Sequence, residues 1–204
     1  MHFDWDQSRQ AFHDAAGWYL AVTGRVGDRW DEPGLGEWTV RDLVGHTSRS
    51  FVTVETYLAQ PADTVTLETA GDYIRAASVV ARGPEVAQRG RDAAAALGPD
   101  PVAAVSGIGA RVRHLVDDCT GQELMTTIVG GMRLGDYLPT RTFELAVHTA
   151  DLAVALGEPL DVPASAARQA LAVVADIAVS EGKAGPLLLQ ATGRTGLPEG
   201  FSVF

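Results

Sequence analysis

From about Pro139 to Leu156 the chain carries apolar residues on two sides of one helix, with a narrow charged band between them. At about 100° per residue, Phe143, Val147, Ala150 and Val154 make one stripe. Leu138, Leu145, Leu152 and Leu156 make another, roughly opposite. Gly157 follows as a C-terminal cap. A helix that is apolar on both sides belongs inside a packed protein. The band between the stripes holds Glu144, His148 and Asp151, with Arg141 beside it. Charged groups so placed are costly unless they are paired or bind a metal. The fold therefore has to bring something to that band.

The rest of the chain supplies helices to do so. Trp5, Phe12, Ala16, Tyr19 and Leu20 fall at helical spacing between about Asp4 and Val26, and glycines and Pro33 then mark a loop. Thr39 and Asp42 read as a capping box opening a second helix whose buried face is Val40, Leu43, Val44, Thr47, Phe51, Val54 and Leu58. Pro61 ends it. Further helices are expected over Glu68 to Arg82, with an interruption at Gly83-Pro84, then over Glu85 to Leu97 and, past the break Gly98 to Pro101, over Val102 to about Asp118. The stretch Leu124 to Leu138 reads as a small hairpin or irregular loop, with Gly130-Gly131 as its turn. A last helix is expected over Ala164 to Ser180, and a tail from Pro186 that holds one short strand. All four tryptophans, Trp5, Trp18, Trp30 and Trp38, lie in the first fifth and are expected to anchor the first helix and its loop to the core. The fold class is mainly all-α, a four-helix bundle of four or five long helices over residues 1–160. Residues 161–204 add a short helix and tail packed on the same domain.

Composition removes whole classes of function. With 204 residues and 46% hydrophobic content, the chain is large enough for its own core. A net charge of −10 without a local basic stripe argues against a nucleic-acid partner. No apolar run reaches membrane-spanning length, and Met1 to Asp6 lacks the features of a signal peptide. The single cysteine, Cys119, excludes an internal disulfide and suits a reducing cytoplasm. Its acidic neighbours Asp117 and Asp118 mark it as structural rather than reactive.

Glu144 and His148, four residues apart, stack on one helix face and can grip one divalent ion. His46, at the edge of the apolar face of the second helix, is the best third ligand. Two histidines and one glutamate leave a fourth position open, the pattern of a catalytic rather than a structural zinc site. The plainer alternative is a side-chain pair in a polar network without metal. Asp151 is a candidate to hold a ligand imidazole in one tautomer, or to pair with an arginine. Arg141 is a candidate to bind a substrate carboxylate, or to pair with Glu144. Asp42 caps its helix or orients His46, while His2, His13 and His114 are expected to do no chemistry.

Trp38-Thr39-Val40-Arg41-Asp42-Leu43-Val44-Gly45-His46 resembles the opening signature of the mycothiol-dependent maleylpyruvate isomerase N-terminal family, one of the DinB-like metal-binding helix bundles. Arg141 to Leu152 resembles its second signature, and the ending from Thr192 to Phe204 is similar to that of shorter members. The resemblance implies His46, Glu144 and His148 as zinc ligands, with nickel or iron as other divalent choices. It also implies mycothiol as the thiol cofactor. The dominance of arginine over the single Lys183 fits the high-GC bacteria that make mycothiol. The full isomerase carries a sizeable C-terminal domain, whereas one more helix and a tail follow here. The implied activity is thiolate addition to a small electrophile, ending either in cis–trans isomerisation or in S-transfer. A metal-binding or regulatory protein without catalysis is the alternative, and a homodimer stays open as a partner state.

Overall fold

The computed structural model describes residues 2–80 and 84–203, with the side chains of 84 and 85 left aside. Among these, eight α-helices and two small hairpins are present. In chain order they are α1 (Trp5–Thr23), β1 (Pro33–Leu35), β2 (Trp38–Thr39), α2 (Val40–Leu58), α3 (Ala70–Val80) and α4 (Pro84–Ala96). Then come α5 (Pro101–Asp117), β3 (Leu124–Thr127), β4 (Gly130–Arg133), α6 (Leu134–Leu156), α7 (Ala164–Ser180) and α8 (Ala184–Ala191). The protein is mainly all-α, as the periodicity requires. The expected interruption at Gly83-Pro84 falls partly outside the described residues.

The helix starts follow from local chemistry. Asp4 and Asp100 cap α1 and α5 by accepting from Gln7 and Ala103 backbone N–H groups. Thr39 and Asp42 form the capping box of α2, each side chain accepting from the other's backbone N–H. Asp42 is thus engaged at the cap. Thr69 and Asp72 make the same reciprocal pair at the start of α3, a signature the sequence reading passed over.

α6 is the centre of the bundle. α1, α2, α3 and α7 all pack on it, and its Leu138, Leu145 and Leu152 are sealed from solvent. α2 and α6 run antiparallel, because Tyr137 near the start of α6 donates to Thr53 Oγ1 late in α2 (2.9 Å), while His148 farther along meets His46. The Tyr19 hydroxyl donates to the Val44 carbonyl (2.6 Å) and fixes α1 against α2. Phe51 fills the junction, edge-on to Phe12 at 6.0 Å and tilted to Tyr19 at 5.9 Å. Such ring pairs add about 0.5–1.5 kcal/mol each beyond their burial. All four tryptophans pack against this core, Trp38 buried within it and the others half-buried.

Several expectations need correction. α6 starts at Leu134, well before Pro139, which lies inside the helix. Proline usually marks a first turn. Here the Leu134 and Gly135 N–H groups find the Glu123 and Gly121 carbonyls (2.9 Å each), so tertiary partners carry the start upstream. The stripe Phe143, Val147, Ala150, Val154 is not uniformly buried. Phe143 is covered, but Val147, which lines a cavity, is 37% and Val154 67% exposed. Gly130-Gly131 is not the hairpin turn, which falls at Ile128-Val129. The glycines lie in β4, where a Cβ on Gly131 would sit 2.0 Å from the Thr64 carbonyl oxygen. They permit the chain from Gln60 to Leu67 to cross the hairpin, hydrogen-bonded at Ala62, Thr66, Leu67 and Thr126. The tail forms α8 rather than a strand. Pro186 is tolerated in a first helical turn.

α4 docks on α2 next to His46. A Cβ on Gly45 would lie 2.3 Å from the Ala94 backbone nitrogen. Gly45→Ala must push the helices apart, and we expect it to cost about 1–3 kcal/mol, as overpacking does. Urea denaturation beside Gly107→Ala, where nothing lies within 4 Å of the added carbon, checks this; equal stability of the two variants would refute it.

Candidate metal centre

The antiparallel pairing of α2 and α6 brings His46, Glu144 and His148 together. One ligand atom from each lies within 4.8 Å of the other two. The imidazole rings of His46 and His148 stand perpendicular with centroids 4.9 Å apart. Glu144 and His148 meet because they lie one turn apart, with Nε2 3.3 Å from Oε2. The other His148 nitrogen, Nδ1, is 3.0 Å from Asp151 Oδ2. Among the described residues Asp151 pairs with this imidazole and not with an arginine.

The two histidines differ in their electrostatics. Burial lowers the His46 pKa to about 4, helped by the charge of His148, so His46 is neutral at pH 7. Burial also disfavours a charged His148, but hydrogen bonds to Asp151 and Glu144 outweigh it and push the pKa up to about 9. Desolvation works against an ionised Glu144; His148 and the Arg141 charge prevail and hold its pKa at about 2. The site thus has an ionised carboxylate and a neutral imidazole ready to coordinate. Its second imidazole carries a proton that an incoming cation would have to displace. His46 Nδ1 is buried without any hydrogen-bond partner.

The cluster opens onto a cavity of ≈ 450 Å³ between α2, α3 and α6. Arg141 lines it, 8% exposed. Its Nε donates to Thr140 Oγ1, and its guanidinium lies over the Tyr137 and Tyr73 rings at 4.9 and 5.4 Å. The expected contact ion pair with Glu144 is absent: no described carboxylate lies within 4 Å of this guanidinium, and Glu144 acts on it only through the longer-range field. A buried permanent cation over two aromatic faces, aimed into a cavity, is a ready anion site. Tyr57, Tyr73 and Ile128 complete the far wall, and Arg49 and Arg89 join Arg141 in making the cavity cationic within an acidic protein.

Sequence reasoning missed these wall residues. His46, Ser50, Thr53 and Tyr57 recur at i, i+4, i+7 and i+11 along α2, a polar stripe that was there to be read. Tyr73 and Ile128 reach the cavity only through the path of the chain. The remaining candidates stand apart. His13 is held between Arg113 and Asp117, and His2 and His114 lie at the surface beside Asp136 and Asp118. Cys119 donates to the Leu115 carbonyl; burial, then Glu123 and Asp118, push its thiol up to about 11, so it is no nucleophile.

Residues 9–153 match the family described as the mycothiol maleylpyruvate isomerase N-terminal domain. The match spans more than half of this helical protein, and the chain belongs to this family. No curated protein and no solved structure gives a significant match. No helix among the described residues is long and apolar enough to cross a membrane.

The shifted histidines set a pH dependence for the metal-free protein. The folded state holds the His148 proton more tightly than the unfolded chain. That stabilisation is complete below pH 6.5 and vanishes as the pH rises through about 9. His46 acts in the opposite direction, penalising the fold as the pH falls from 6.5 towards 4. Denaturation in the presence of a chelator should show stability declining between pH 6.5 and 9, and Asp151→Asn should flatten that decline. A wild-type profile without it would contradict the assignment.

Proposed function

We propose that this protein is a divalent-metal enzyme, zinc being the first choice, that takes mycothiol as thiol cofactor or cosubstrate. It adds the thiolate to a small electrophile, with S-transfer or cis–trans isomerisation as the outcome. One observation carries the reading: His46, Glu144 and His148 offer three donor atoms within 4.8 Å of one another at a cavity. The family's mycothiol description supports it.

His46, Glu144 and His148 would hold the ion, and three protein donors match the stoichiometry of a catalytic site. A bound divalent ion supplies Lewis acidity and lowers the pKa of a thiol brought to it. Asp151 keeps the proton of His148 on Nδ1 and leaves Nε2 as the donor nitrogen. Arg141 binds an anionic group of the electrophile and orients it. Tyr57, Tyr73 and Phe143 shed water from the reacting carbon. If the added thiolate leaves after rotation about the former double bond, the product is the isomer; if it stays and water protonates the enolate left by the addition, the product is a conjugate. The unpaired Cys119 and a thiol cofactor both suit the cytoplasm, where we place the reaction.

Protein purified without a metal-affinity tag should carry about one metal ion per chain, as three-donor catalytic sites do. Glu144→Ala and His148→Ala should lose it. Isothermal titration of the metal-loaded protein with mycothiol then separates an enzyme, which binds the thiol, from a regulatory metal protein, which does not. A wild type that neither carries nor takes up zinc refutes the metal reading.

Arg141→Met should weaken binding of small carboxylates by about tenfold or more, the usual worth of hydrogen bonds to a charged group. Unchanged carboxylate affinity in a folded variant would remove Arg141 from the substrate site.

A further inference from the structure

The two histidines of the centre are held in different ways. His148 has both nitrogens engaged, by Asp151 and by Glu144. His46 has no such anchor: no hydrogen bond orients its ring, and its Nδ1 is sealed without a partner. Metal-ligating histidines ordinarily have their second nitrogen fixed by a carboxylate, a carbonyl or water. What His46 has instead is an aromatic platform. The Trp38 indole lies against it with centroids 4.5 Å apart and planes tilted by 36°. The His46 ring also meets the His148 ring in a T-shaped contact.

The platform is itself rigid. Trp38 is 9% exposed. Its Nε1–H donates to the Ala87 carbonyl of α4 (3.2 Å). Its six-membered ring lies so close to α4 that a Cβ on Gly90 would sit 2.9 Å from Cε2 and Cζ2. Its backbone is set by the β1–β2 pairing on one side and by the Thr39 cap of α2 on the other. An indole clamped on α4 and packed at a tilt against His46 restricts how far the imidazole can swing. We propose that Trp38 is the positioning residue for His46, orienting this metal donor by ring packing where its counterpart His148 is oriented by a carboxylate. The docking of α4 then becomes part of the metal site, although α4 contributes no donor to it.

This inference rests on the metal reading above, and its test separates the two. Cobalt(II) serves as the probe, because its visible absorption reports the geometry of its donors as well as its affinity. Wild type, Trp38→Leu, Trp38→Phe and the core variant Val54→Ala are titrated with cobalt, and the thermal stability of each metal-free protein is recorded. We expect Trp38→Leu to lose about tenfold or more in cobalt affinity, as loss of an outer partner does, with an altered absorption band. Trp38→Phe should restore most of both. Val54→Ala, which loses core packing away from the cavity, should lower stability and leave the spectrum unchanged. Should Trp38→Leu fail to fold, Gly90→Ala displaces the indole without removing it and should perturb the same band. Wild-type affinity and spectrum in a folded Trp38→Leu, or in Gly90→Ala where Leu does not fold, overturn the Trp38 proposal and leave the metal reading standing. A wild type that binds no cobalt overturns both.

Discussion

Charge buried on the central helix is the constraint around which this molecule is arranged. α6 is wrapped by α1, α2, α3 and α7, yet it carries Arg141, Glu144, His148 and Asp151 within three turns. None of these can be left without a partner at low cost. Glu144 and Asp151 satisfy the two nitrogens of His148, the hydroxyl of Thr140 takes the Nε–H of Arg141, and two tyrosine rings receive its cationic face. Two groups on one cavity remain to be matched: the His46–Glu144–His148 donor cluster and the outer side of the Arg141 guanidinium. One asks for a cation and the other for an anion.

The surrounding helices maintain that cavity rather than merely enclosing it. The Tyr137–Thr53 and Tyr19–Val44 hydrogen bonds set the antiparallel register of α2 against α6 and the place of α1 beside them. A slip of one helical turn would separate His46 from its partners by about 5.4 Å, further than the whole donor cluster spans. The glycines along α2 and α4 serve the same end, since Gly45 and Gly90 bring α4 close enough to clamp the Trp38 indole. The β3–β4 hairpin performs the equivalent task at the far rim. Its glycines admit the strap from Gln60 to Leu67, and its turn brings Ile128 to the cavity wall.

Much of the helical layout could be read from residue order, because caps and periodicity act over a few residues. The Thr39–Asp42 box and the span Ala164–Ser180 are local events. So is the charged band on α6, and with it Glu144 and His148 as a pair. Errors arose wherever a distant partner overrode a local cue. Pro139 looked like a helix start, but the Glu123 and Gly121 carbonyls extended the helix upstream of it. Gly130-Gly131 looked like a turn, but the strap that crosses them is what requires glycine there.

The amino-acid sequence alone determined the helical class, the family signature segments and the donor types of the centre, since each is encoded within single segments. Only the tertiary structure decided which side chains share the cavity. Tyr73 and Ile128 come to it from separate elements, Arg141 turns away from contact with Glu144 and onto tyrosine rings, and Trp38 packs from the core against His46. The reason is one of range. Capping and periodicity act across a turn or two of helix, whereas stacking and ion pairing depend on distances that no single segment specifies until the helices have packed.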